Sequence, residues 1–302
     1  MKLIVQPRDG LSSFISAIRM ARKEIDLLIF RFDRPEIQKA LDAAIRRGVL
    51  VRTLIAHTNK GGEKNLRKLE QKLLEVGATV ARTGDEFVRY HGKMMMIDRA
   101  ELWLMAFNLT ALDTSGSRSF GIVTRRKAEV ADALKLFEAD VTRRPFSPNG
   151  SQLVVSPENS RTMLSEFIAA AKHQLFIYDP KVSDTAILKL LKDRAKHGVD
   201  IRIIGKVANN GRDLPHEKYP GRRMHVRAII RDRRDAFVGS MSLRRLELDG
   251  RREAGIIVRS GQVVGELLST FEEDWAQTDS GKKAAESEKK AEASSTLPSA
   301  TA

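Results

Sequence analysis

Two histidines open matching runs in the two halves of the chain. The first run is His91-Gly92-Lys93, four further residues, then Asp98; the second is His225-Val226-Arg227, four further residues, then Asp232. Ten residues past each aspartate stands a small polar side chain, Asn108 in one run and Ser242 in the other. An imidazole can act as nucleophile or proton carrier near neutral pH. A lysine or arginine beside it supplies positive charge to the oxygens of a phosphoryl group. The pair of runs therefore reads as a duplicated phosphate site.

Cleaving a phosphodiester requires a nucleophile in line with the leaving oxygen, a proton for that oxygen, and donors on the non-bridging oxygens. Two imidazole and cation pairs provide all three. One neutral imidazole attacks phosphorus to give a phosphohistidine, and the other, protonated, protonates the departing alcohol. Water or a second alcohol then resolves the intermediate. Lys93, Arg227 and Asn108 are the candidate ligands of the equatorial oxygens, with Ser242 a weaker single donor. No metal or cofactor is required by this chemistry. His57, His173, His197 and His216 have no ligand-like spacing and read as surface or packed histidines.

The duplication extends beyond the motifs. Pro7, Ala21, Gly48 and Arg52 recur as Pro157, Ala171, Gly198 and Arg202, a constant offset of 150. From the histidines onward the offset is 134, with Gly121 and Ile122 recurring as Gly255 and Ile256, so the second copy is shorter by 150 − 134 = 16 residues. A period this long implies two like-folded halves about a pseudo-twofold axis, on which both histidines can meet.

The elements that must position these residues alternate between helix and strand. Ser12 and Ser13 are expected to cap a helix bearing Phe14, Ile15 and Ile18. Ile25 to Phe32 reads as a buried strand, Pro35 to Gly48 as a helix burying Ile37, Leu41 and Ile45, and Val49 to Ile55 as a second strand. Leu66, Leu69 and Leu73 stripe a third helix, and short strands near Thr79 and Phe87 lead to the motif. A strand from Tyr90 to Ile97 would put His91 and Lys93 on one face. The second half repeats this order from Val154. Apolar strands separated by helices indicate sheets buried on both faces. The fold class is α/β: two similar helix-flanked mixed or parallel sheets related by a pseudo-twofold axis. Residues 1–147 are expected to form the first half, 148–276 the second, and 277–302 a disordered tail in which Lys282 to Ala293 can form a transient helix. Gly61-Gly62 and Asn209-Asn210-Gly211 read as turns.

A net charge of +14 points to a polyanionic partner, either nucleic acid or an anionic membrane surface touched peripherally. The excess lies outside the last 26 residues, where four lysines balance four acids. It is dense from Arg222 to Arg252, with ten arginines against four acids. The chain has no cysteine, no run of 18 apolar residues and no signal-like apolar stretch after its first lysine, which together lead us to expect a cytoplasmic protein. An internal pseudo-dimer is expected to be a monomer.

With these residues in view, the chain resembles the phospholipase D superfamily, whose signature is a repeated His-x-Lys-x4-Asp followed by Gly-Ser-x-Asn. The resemblance implies a phospholipase D-like fold, His91 as nucleophile, His225 as general acid, and Lys93 and Asn108 as phosphate ligands. It also implies structural duties for Asp98 and Asp232 as strand-end or turn residues. Gly239-Ser240 keeps the Gly-Ser pair, which adds Ser240 to the phosphate-binding set, whereas the first copy has Met105-Ala106 there. Members also carry a ring-orienting carboxylate 28 residues past the histidine. Glu253 fills that place for His225, and Ser119 takes it for His91, so His91 is expected to be the less supported ring. The favoured activity is hydrolysis or transfer of a phosphatidyl group of a phospholipid. The alternatives are a metal-independent nuclease and a catalytically impaired phosphate-binding module.

Overall fold

The computed structural model describes residues 1–29, 31–57 and 63–295; Phe30, the Gly61-Gly62 pair and residues 296–302 lie outside the described residues. The first half runs β1 (Lys2–Gln6), α1 (Ser12–Met20), β2 (Glu24–Ile29), α2 (Pro35–Arg46), β3 (Leu50–Ile55), α3 (Glu63–Glu75), β4 (Thr79–Arg82), β5 (Arg89–Tyr90), β6 (Met94–Ile97), β7 (Glu101–Met105), α4 (Ala111–Ser115), β8 (Ser117–Thr124) and α5 (Lys127–Thr142). The second runs β9 (Leu153–Ser156), α6 (Ser160–Ala169), β10 (Gln174–Val182), α7 (Thr185–Lys196), β11 (Asp200–Val207), β12 (His216–Glu217), β13 (Arg223–Met224), β14 (Ala228–Arg231), β15 (Asp235–Gly239), α8 (Arg245–Asp249), β16 (Arg251–Val258) and α9 (Gly261–Ala276), followed by α10 (Asp279–Ser295).

These elements build two mixed sheets of the same order. One runs β1-β8-β7-β6-β2-β3-β4 and the other β9-β16-β15-β14-β10-β11-β12. In each, the central strand is parallel to its neighbour on the helical-crossover side and antiparallel to the motif strand on the other. The alternation along β2 shows why both faces are buried. Ile25, Leu27 and Ile29 pack under the outer helices, while Leu28 faces the other sheet. Leu175 and Ile177 do the same in β10, with Phe176 and Tyr178 turned inward. The inner faces of both sheets, together with α5 and α9, enclose one shared core.

Local sequence explains the helix ends. Pro35 begins α2, and Gly48 just past it adopts φ +86°, a left-handed conformation that favours glycine. At α1 the expected serine cap is absent: Leu11 occupies the cap position with no side-chain hydrogen bond, and Ser12 and Ser13 lie inside the helix. Asn209–Gly211 forms a single 3-10 turn. Residues 279–295 continue as α10, whose Gly281 amide donates to the Thr278 hydroxyl. Among the described residues, no helix is long and apolar enough to cross a membrane.

The expected strand from Tyr90 to Ile97 does not exist as one element. β5 and β6 belong to different sheets, because β5 pairs in parallel with β16 of the second half while β6 pairs with β2 of the first. β13 makes the reciprocal exchange, pairing with β8 of the first half before the chain enters β14 of its own sheet. Each motif histidine sits where its chain crosses from one sheet to the other.

Candidate active site

The crossings fix the imidazoles. The His91 amide donates to the Arg252 carbonyl at 2.7 Å, and the His225 amide donates to the Arg118 carbonyl at 3.0 Å. Each backbone is thus held by the opposite half immediately before its side chain projects. The ring centroids of His91 and His225 lie 6.5 Å apart at 64°, and each residue is 7% exposed. An attacking atom and phosphorus are separated by about 3–3.5 Å before reaction, and two rings this close can both reach one phosphoryl group.

The strand exchange overturns one expected pairing. Glu253 orients His91, not His225: its Oε2 lies 2.9 Å from His91 Nδ1. β16 runs beside β5, so a carboxylate on β16 faces the histidine that follows β5. Ser240 is corrected with it. Its fully buried hydroxyl, expected on a phosphate, donates to the same Glu253 oxygen at 2.6 Å. Ser119, the counterpart of Glu253, donates instead to the backbone carbonyl of His225 at 2.6 Å.

His225 has a carboxylate neighbour that sequence reasoning missed. Asp113 Oδ1 lies 3.1 Å from His225 Nδ1, off the line of a good hydrogen bond. Asp113 is 2% exposed. It also pairs with Arg223 and accepts from the backbone amide and Nδ2 of Asn108 at 2.9 and 2.7 Å. A capping pattern could have flagged its short helix, since Thr110 Oγ1 accepts from the Asp113 amide. Nothing in the spacing reveals that the carboxylate turns toward an imidazole from the other half.

The cations converge as well. Lys93 is fully buried, and its Nζ donates to the His91 carbonyl at 2.6 Å. Arg227 Nε donates to Ser242 Oγ at 3.2 Å, and its buried Nη1 has no protein partner among the described residues. Asn108 uses one amide hydrogen on Asp113, which leaves the second for an anion. Asp98 and Asp232 lie elsewhere. Each accepts three successive backbone amides where β2 and β10 begin, from Arg22, Lys23 and Glu24 and from Lys172, His173 and Gln174.

Burial dominates the site's electrostatics. It holds His91 well below an ordinary imidazole, with Lys93 and Arg227 pushing the same way. It draws His225 down to about 4 against the opposing pull of Asp113. It lowers Lys93 to about 7, opposed by Glu253. Glu253 is raised by burial despite Lys93 and Ser240. For Asp113 burial is outweighed by His225 and the Asn108 donors, and the carboxyl sits below its usual range. An anion bound among these groups would offset the crowding of Lys93, Arg227 and the imidazoles, and so favour their charged forms.

A family model described as "Cardiolipin synthase, PLD-like domain" matches residues 14–141 and 164–275. Comparison with curated protein sequences returns no match. Among solved structures, polyphosphate kinase from Porphyromonas gingivalis superposes with a TM-score of 0.74 at 18% identity, over 90% of this chain and 46% of that one. The chain therefore spans just under half the length of that kinase. Phosphatidylserine synthase from Haemophilus influenzae Rd KW20 superposes with a TM-score of 0.69 at 11% identity, over 91% of this chain and 86% of that one. At these identities the likeness establishes a shared two-sheet fold.

Proposed function

Because the chain belongs to the phospholipase D-like family, we propose that it is a phosphodiesterase that hydrolyses or transfers a phosphatidyl group through a phosphohistidine. The observation that carries this reading is the approach of His91 and His225 to 6.5 Å between ring centroids from opposite halves. Glu253 lies on the Nδ1 side of His91, and we assign Nε2 as the nitrogen that attacks phosphorus. As the N–P bond forms, the P–O bond to the leaving alcohol breaks, and that oxygen takes a proton from His225. Water or an acceptor alcohol then attacks phosphorus, giving a proton back to His225 as the N–P bond breaks. Lys93, Arg227 and the free Asn108 hydrogen hold the non-bridging oxygens, and the Ser242 hydroxyl supports Arg227.

A phosphatidyl substrate is supported by the family model's description and by a fold neighbour that is a phosphatidylserine synthase. We read the protein as a monomer whose own halves complete the cleft, meeting an anionic membrane peripherally through its basic surface. A nuclease is the second reading, favoured by the arginine-rich stretch, where Arg222, Arg223 and Arg245 are exposed. Purified protein incubated with a chromogenic phosphodiester, labelled phosphatidylcholine and plasmid DNA separates the readings. We expect turnover of the lipid that His91→Ala abolishes. Nicking of DNA without lipid turnover would establish the nuclease, and no turnover of any substrate would leave a phosphate-binding module.

A further inference from the structure

The two halves carry carboxylates at one matched position and use them differently, and at a second matched position only one half has a carboxylate. Five residues past Asn108 is Asp113, and five past Ser242 is Glu247, again 134 apart. Both accept the backbone amide of the motif residue, at 2.9 Å from Asn108 and 2.6 Å from Ser242. Beyond that they diverge. Glu247 turns its other oxygen to Arg244 and Arg251 at 3.2 and 3.0 Å, whereas Asp113 turns its other oxygen to His225 and Arg223. At the second matched position Glu253 reaches across to His91, and Ser119 offers His225 no carboxylate.

We propose that Asp113 is the positioning residue of His225, standing in for the carboxylate that Ser119 lacks. The inference rests on the phosphohistidine reading for its chemistry, but its geometry stands apart from it. Glu253 makes an aligned bond to His91 and is pinned by Ser240, while Lys93 beside the ring disfavours a second proton there. That combination keeps a neutral, directed Nε2. His225 faces Asp113 from α4, Arg227 from its own segment, and Lys93 and His91 from the opposite crossing; Arg223 on β13 reaches it only through Asp113. A bound phosphodiester anion joins Asp113 in favouring the imidazolium at His225. The buried Asp113 carboxylate, held by two Asn108 donors, is fixed in place for that task.

The first test needs no turnover. Imidazole resonances, assigned with His91→Gln and His225→Gln, are titrated in the whole protein with and without inorganic phosphate. In Asp113→Asn the His225 titration should fall by about 1–2 pH units, the range for losing an opposite charge at this distance, with His91 unmoved and Asp113→Glu near the parent. Arg223→Ala, which removes the cation paired with Asp113, should raise the His225 titration and serves if Asp113→Asn does not fold. Kinetics add a readout that a purely structural role would not move. The first turnover of a nitrophenyl diester, whose leaving group needs no proton, should change less than about threefold in Asp113→Asn. An alkyl diester should slow by roughly 10²-fold or more. An unmoved His225 titration in both Asp113→Asn and Arg223→Ala, or equal losses on the two diesters, overturns the assignment. Absence of any turnover with the His225 titration shifted as expected would sink only the catalytic reading.

Discussion

At the scale of single residues, the site is a set of charges kept out of water, and its stability should record that. In the unfolded chain the His225 ring takes a proton below about 6.5, whereas in the fold burial delays this to about 4. Between those values the unfolded state binds more protons, so stability falls as pH drops through the window. We expect the chemical-denaturation free energy to decline from pH 7 to 4.5, and His225→Asn to flatten that decline. A slope unchanged by His225→Asn would mean that the ring titrates normally. The residues gathered at the candidate site, His91, Lys93, Asn108, His225 and Arg227, were legible as candidates because type and spacing along the chain pick them out. Their partners were not. Whether Glu253 meets one ring or the other depends on which strand lies beside which, and spacing from the nearest histidine carries no such information.

At the scale of elements, the exchange of β5 and β13 between the sheets holds the two rings in register. Short pairings of two residues each cannot do this unaided, and buried polar contacts reinforce them. Arg252, paired with Tyr90 across the β16–β5 exchange, is 3% exposed and lies 3.1 Å from Asp140 on α5. It also pairs with Glu158 and sits over the Phe87 ring at 4.3 Å. One guanidinium thus ties the exchange to a helix of the first half and a loop of the second. Arg252→Met leaves the Asp140 carboxyl, already pushed up to about 7 by burial, without its cation. Removing one partner of a buried pair costs about 3–5 kcal/mol, which urea unfolding would show. Loss below about 1 kcal/mol would mean that the tie is dispensable. The helices and central strands were legible from apolar periodicity. The break between β5 and β6 was not, because no proline within Tyr90 to Ile97 marks it and it arises only from pairing with the opposite sheet.

At the scale of the whole molecule, the inner faces of two like sheets close on one core, and the two histidines meet where the chain crosses between the sheets. The repeat offsets of 150 and 134 foretold two equal sheets. They could not foretell that each half finishes the other's site, because reciprocity is a property of the packed pair. The most direct test of that shared site is to trap the intermediate. His225→Ala, given a nitrophenyl phosphodiester and quenched in base within the first turnover, should carry one base-stable, acid-labile phosphoryl adduct on His91, with none in His91→Ala. Burst release of nitrophenol with no adduct, or an adduct that persists in His91→Ala, would contradict covalent catalysis at the paired imidazoles.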